Sequence, residues 1–153
     1  MRSIEIPELK FSKWHYWPDR GQLTEISFPG VYMLSITEQD LTGRVVRFKD
    51  VSYIGMTNSQ AGLRGRWNQL NRSINGGSGH SGGNTIRKKL DVYDSWLNGL
   101  DLYVCALSVP CNVKRRSEKD LHLMGAVCYL EYEALLKFNS ASPELGRPEF
   151  NTR

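Results

Sequence analysis

Gly30-Val31-Tyr32-Met33-Leu34-Ser35-Ile36, introduced by Pro29, and Asp50-Val51-Ser52-Tyr53-Ile54-Gly55 are the stretches on which the fold turns. The first is apolar and rich in β-branched residues, which suits a buried strand better than a helix. The second is short and stops at a glycine. Between them Asp40-Leu41-Thr42-Gly43-Arg44 carries turn residues, so the two runs are expected to pair as a hairpin with a long loop over 36–50. Each run holds a tyrosine near one edge, and pairing sets Tyr32 and Tyr53 on neighbouring strands, aimed at one place.

Beyond the hairpin the chain turns polar through Thr57-Asn58-Ser59-Gln60 and then enters a stretch in which Leu63, Trp67 and Leu70 recur at helical spacing. Arg64 and Arg66 lie in the first turns of that helix. Residues 74–84 follow, with five glycines around His80, and predict a flexible segment whose backbone can approach a phosphate closely. Asn84 or Thr85 can cap a helix to about residue 97. Residues 100–109 alternate around Leu102, Val104 and Ala106 as a strand. Ser117-Glu118-Lys119-Asp120 has the character of a capping box and opens a long helix to about residue 138. Val127, Cys128, Glu131, Ala134, Leu135 and Phe138 fall on one stripe of it, with Glu131 the only charge. A carboxylate among apolar neighbours must be paired, protonated or bound to a cation to offset its desolvation.

Taken in order, Gly30-Val31-Tyr32, Tyr53-Ile54-Gly55, Arg66, His80, Glu131, and Asn151 within Pro148-Glu149-Phe150-Asn151 resemble the signature of the GIY-YIG nucleases. That family carries a Gly-Ile/Val-Tyr string, a Tyr-Ile/Val-Gly string, an arginine on the next helix, then a histidine, a helical glutamate and a late asparagine. The resemblance covers about Pro29 to Asn151. Any one string arises often by chance; the ordered set is specific. It departs from the commoner pattern at Leu70, where many members place a histidine one turn after the arginine.

The resemblance implies an α/β fold, with a small, mainly antiparallel three-stranded sheet flanked by helices, over residues 29–153. Residues 1–28, rich in aromatics through Phe11, Trp14, Tyr16 and Trp17, then form an arm packed on it. It further implies a metal-dependent DNA endonuclease that hydrolyses phosphodiester bonds. Glu131 would hold one Mg²⁺ (or Mn²⁺), a hard cation that suits a lone carboxylate because it keeps waters and takes other ligands from phosphate. Arg66 would bridge phosphate oxygens; Arg64, near the same helix start, is the alternative. Tyr32 or Tyr53 would take the proton from water, and the residues do not choose between them. His80 would accept or relay that proton. Asn151 would bind phosphate or brace the site. A compact chain without appended domains fits a restriction-type or phage-type member; a repair-type nuclease acting on particular DNA structures, or an idle nucleic-acid-binding module of the same fold, are the alternatives. Cutting both strands with one site per chain needs a homodimer or two successive nicks.

Composition agrees. At 153 residues the chain supports one core that buries roughly two thirds of the unfolded surface. Lys and Arg total 20 against 16 acids, a formal charge of +4, which favours a polyanionic partner mildly. Arg64, Arg72, Arg87, Lys88 and Lys89 gather around the motif region as candidate DNA contacts, with Lys114, Arg115 and Arg116 in a later loop. Residues 76–83 lack the lysine and Ser/Thr of a P-loop, and no Ser/His/Asp nucleophile pattern occurs. No stretch is long and apolar enough to cross a membrane and the N-terminus lacks a signal-peptide core, so a cytoplasmic protein is expected. Cys105, Cys111 and Cys128 lack paired C-x-x-C spacing and are read as buried thiols.

Overall fold

The two tyrosine-bearing runs pair as antiparallel strands, β2 (Gly30–Thr37) and β3 (Tyr53–Thr57), in a computed structural model that describes residues 5–152. The register sets Tyr32 opposite Gly55 and Leu34 opposite Tyr53. Side chains of paired residues share a face, so both tyrosines emerge on the same side of the sheet. On the other flank β2 pairs antiparallel with β4 (Asp101–Ser108) along its whole length.

The sheet has four strands, not three. The added strand is β1 (His15–Tyr16), supplied by the N-terminal arm, and the order is β1-β4-β2-β3. Its reason lies in β4, which without the arm would end the sheet with an unpaired row of backbone groups. The pairing continues past β1, where the Ser12 amide donates to the Ala106 carbonyl at 2.8 Å and the Ala106 amide donates to Ser12 Oγ at 3.0 Å. Trp14 and Trp17 of the arm are fully buried.

Each face of the sheet carries a helical layer. Helix α1 (Gly62–Ile74) and helix α2 (Ser81–Leu90) cover the tyrosine face, burying Leu63, Trp67, Leu70 and Ile86 against Tyr32, Leu34 and Tyr53. Helix α3 (Glu118–Ala141) covers the opposite face through Val127, Leu130, Ala134 and Phe138, packed on Val31, Met33 and Ile54. Its start is the expected capping box: Ser117 Oγ accepts from the Asp120 amide, and the Asp120 carboxylate accepts from the Ser117 amide. None of the helices among the described residues is long and apolar enough to cross a membrane.

Four local expectations are corrected. The helix expected from Asn84 or Thr85 to about residue 97 starts earlier and stops earlier. His80 caps it and Leu90 ends it, because Asp91 takes a positive φ of 69° that breaks the helical path. The glycine-rich segment is only partly a loop. Gly82 and Gly83 are buried inside α2, and the loop before it is tied down by Arg87 Nη1, which donates to the carbonyls of Ser73 (2.8 Å) and Gly77. Among the cysteines only Cys105 is buried; Cys111 is half-buried and Cys128 exposed. The core stripe of α3 is rotated from the expected one: Ala126 and Leu130 belong to it, Cys128 falls outside, and Glu131 and Leu135 lie at its border.

Glycine is needed at Gly55 and Gly82 for space. A Cβ on Gly55 would stand 2.6 Å from the Tyr32 ring, and one on Gly82 would stand 2.5 Å from the Tyr53 ring. Alanine in a helix normally stabilises by up to about 1 kcal/mol over glycine. Here overpacking reverses the sign: Gly82→Ala and Gly55→Ala are each expected to destabilise by about 1–3 kcal/mol. Thermal melts followed by circular dichroism check this, and an unchanged or raised Tm would contradict the packing.

Candidate functional site

The two helical layers approach one another past the edge of the sheet, beyond β3, and enclose a cleft of about 500 Å³. Tyr53 and the backbone of Gly55 form its floor. Arg66 of α1 and Ser81 of α2 line one wall, Glu131, Tyr132 and Leu135 of α3 the other, and Phe150, Asn151 and Thr152 close one side. The cleft therefore collects Tyr53, Arg66, Glu131 and Asn151 from four separate segments. Arg64 is directed elsewhere: it borders a smaller groove with Pro18, Arg20 and Trp67, so of the two arginines only Arg66 reaches the cleft.

Arg66 is held by Gln69, whose Oε1 accepts from Arg66 Nη1 at 2.7 Å. Sequence reading passed over Gln69, though its i, i+3 spacing from Arg66 on a helix is the signal that could have found it.

Tyr32 stands behind the cleft, fully buried, with Trp67 edge-on at a centroid distance of 6.2 Å. Its hydroxyl lies 2.6 Å from His80 Nε2. The direction of that bond follows from the helix cap. The Gly83 amide donates to His80 Nδ1 at 3.0 Å, so Nδ1 is an acceptor and the neutral ring carries its proton on Nε2. His80 Nε2 therefore donates and the Tyr32 oxygen accepts. Arg66 and Tyr53 also neighbour the Tyr32 hydroxyl, and a guanidinium can only donate to its oxygen. The donors run in one direction, Gly83 to His80 to Tyr32.

Electrostatics match this order. Burial, reinforced by the neighbouring Arg66 charge, pushes the His80 imidazole down to about 3, so the ring is neutral at ordinary pH. Burial holds the Tyr32 phenol well above its usual range, with Tyr53 adding to the effect and Arg66 opposing it. His80 was expected to accept or relay a proton; with Nδ1 committed to the helix cap and Nε2–H to Tyr32, it serves here as a donor.

Asn151 uses both ends of its amide on one residue of the sheet edge. Its Oδ1 accepts from the Ile54 amide and its Nδ2 donates to the Ile54 carbonyl, both at 2.9 Å. The Phe150 amide donates to the Ser52 carbonyl at 3.0 Å. The C-terminal segment thus completes the open edge of β3 as another strand would, and of the two expected roles of Asn151, bracing is the one its contacts serve.

Glu131 has no hydrogen-bond or ion-pair partner among the described residues, and burial raises its carboxyl above the ordinary range. No group of three or more His, Cys, Asp or Glu placed to hold a metal ion occurs among the described residues. A cation here would rest on one carboxylate, water and a ligand from outside. That donor set fits Mg²⁺, which is commonly held by one or two carboxylates plus waters and phosphate.

Of the remaining basic residues, Arg64, Arg72, Lys88 and Lys89 are exposed outside the cleft lining. Lys89 Nζ stands 5.3 Å from the centre of the Phe150 ring, while Arg87 spends its donors on backbone carbonyls. Set against family models, curated proteins and solved structures, the chain gives no match in any of the three.

The histidine assignment is open to a direct check. Nitrogen-detected NMR of His80 is expected to show the neutral Nε2–H tautomer down to about pH 4. An unfolded histidine protonates near 6.5; with its folded value at about 3, His80 contributes stability that is whole above pH 6.5 and lost as pH falls toward 3. The difference in stability between wild type and His80→Gln should change across that window, by up to about 1.4 kcal/mol per pH unit, and stay flat above it. An imidazolium signal at pH 5.5 would overturn the assignment.

Proposed function

We propose that the protein is a metal-dependent endonuclease of the GIY-YIG type, hydrolysing phosphodiester bonds in DNA in the cleft beside β3. The observation that carries this reading is the convergence on one cleft of Tyr53, Arg66 and Glu131, the last without a partner among the described residues. Phosphodiester hydrolysis needs an activated water, neutralisation of charge gathering on phosphate oxygens and relief for the departing oxygen. The three side chains can supply these functions with little else.

Glu131 would hold Mg²⁺, which when bound supplies charge neutralisation at the phosphate and at the leaving oxygen. Arg66, fixed by Gln69, offers parallel N–H donors that favour the added negative charge of the transition state; such donors weigh most in a partly enclosed site. Tyr53 is the tyrosine that lines the cleft, and we assign it as general base. General-base action by tyrosine needs the phenolate, and a guanidinium on the same cleft favours an anion. A Tyr32 hydroxyl donating to Tyr53 would favour that charged form, and His80 holds Tyr32 in place for it. Tyr32 and His80 are then positioning residues. The mild positive charge of the chain favours a polyanionic substrate.

Supercoiled plasmid and phage genomic DNA incubated with Mg²⁺ or with EDTA provide the test. Wild type should cleave only with Mg²⁺, and Glu131→Gln should bind DNA without cutting. Arg66→Ala is expected to lower the rate about 10²–10³-fold and Tyr53→Phe about 10²–10⁴-fold. Tyr32→Phe, which removes a supporting donor only, should cost less than Tyr53→Phe. Binding with no cleavage on any DNA would replace this reading with the idle binding module; a larger loss in Tyr32→Phe would reverse the roles of the tyrosines.

A further inference from the structure

Helix α3 is apolar on two sides. Its inner side is the core face on the sheet. Its outer side carries Leu121, Gly125, Cys128, Tyr129, Tyr132 and Leu136, all exposed, with Tyr132 at 67% and Leu136 at 68%. At 3.6 residues per turn these six fall within about 50° of one line along the helix, roughly opposite the core stripe. No charged residue between 121 and 136 lies on that line; Glu131 and Glu133 are turned about 90° or more away. A surface helix ordinarily presents charged residues there.

The face has a shape. Toward its N-terminal end Leu121, Gly125 and Tyr129 form with Ile6 a groove of about 520 Å³, which Glu5, Glu118 and His122 also line, and a Cβ added to Gly125 would meet nothing within 4 Å. Toward its C-terminal end Tyr132 and Leu136 protrude. Groove and protrusions lie on one helix, and a two-fold axis between Cys128 and Tyr129 exchanges them. It sets Leu121 against Leu136 of the other copy, Gly125 against Tyr132, and Cys128 against Tyr129, a large side chain facing a small one at both inner positions. Isologous interfaces are self-complementary in this way. The 24 residues of α3 span about 36 Å. A strip of that length and two helix diameters wide covers roughly 700 Å² per copy, close to the ~800 Å² typical of specific interfaces.

We propose that a second copy of this chain docks antiparallel along the outer face of α3, each copy's Tyr132 and Leu136 filling the groove of the other. A two-fold perpendicular to both helices keeps the two Glu131 side chains on the same face of the pair, roughly 15 Å apart by helix geometry. On the nuclease reading given above, on which this one consequence rests, a single duplex can then meet both clefts.

Sedimentation equilibrium of the full chain is expected to return twice 17.5 kDa at micromolar concentration. Gly125→Arg and Leu136→Glu, both at exposed positions, should return a single-chain mass with the circular dichroism spectrum unchanged. In a Cys111→Ser background a short bismaleimide should join Cys128 of one copy to Cys128 of the other, and Gly125→Arg should remove that product. A single-chain mass for wild type at tens of micromolar, or dimers that persist in both variants, would overturn the proposal. On plasmid, wild type should cut both strands where Gly125→Arg only nicks. A wild-type dimer inactive on every DNA would sink the nuclease reading and leave the interface standing.

Discussion

The structure depends on seating two tyrosine rings side by side under a pair of helices. Tyr32 and Tyr53 lie with centroids 6.1 Å apart, and His80 lies 5.7 Å from Tyr53. That much aromatic bulk fits between sheet and helices only because Gly55 faces Tyr32 and Gly82 faces Tyr53. The same two glycines explain why α2 approaches β3 closely enough for its own cap residue to reach the first tyrosine. Packing and polar order are thus one arrangement. The helix cap orients His80, and His80 orients Tyr32 beside Tyr53.

A second constraint is the edge of the sheet. β3 is an outer strand, and an outer strand carries unsatisfied backbone groups. On this edge they are met by Asn151 and Phe150 rather than by another strand, which leaves the space above them open as a cleft. Two helical layers on opposite faces then meet there. That is how Arg66, on the tyrosine side, and Glu131, on the far side, come to share one cavity. A sheet closed by a fifth strand would have kept them apart.

The charges of the cleft follow from its depth. Glu131 is half-buried with no partner among the described residues, and burial raises its carboxyl, whereas Asp120 on the same helix is held well below the ordinary range by the Arg115 guanidinium and the Ser117 hydroxyl. Two acids about three turns apart take opposite directions because one cap is fully satisfied and one cleft is not. An unsatisfied carboxylate stores a demand for a cation, and the nuclease reading takes that demand as its starting point.

The hairpin, the long helix with its capping box, the arginine helix and the last strand were legible because each rests on local signals: β-branched runs, turn residues, helical spacing and the Ser117/Asp120 pair. Tyr53, Arg66, Glu131 and Asn151 could also be picked out from the chain, since their order along it is a local matter too. What the chain could not disclose were relations between distant segments. The fourth strand exists because β4 needs a partner that happens to lie in the arm. The helical Gly82 and Gly83 run against glycine's own preference and are needed where the Tyr53 ring packs on the first and Ser73 and Leu70 on the second, as the early stop of α2 is settled by one positive φ at Asp91. Which tyrosine lines the cleft, the hydrogen-bond donor role of His80 and the bracing contacts of Asn151 are tertiary facts, since a hydrogen bond has a direction only once both partners are in place. Sequence by itself determined the hairpin, the last strand, the arginine helix and the long capped helix, and singled out Tyr53, Arg66, Glu131 and Asn151; the tertiary structure alone decided that these four, and not Tyr32 or Arg64, face the cleft, because burial and hydrogen-bond direction depend on what packs against a side chain rather than on its neighbours in the chain.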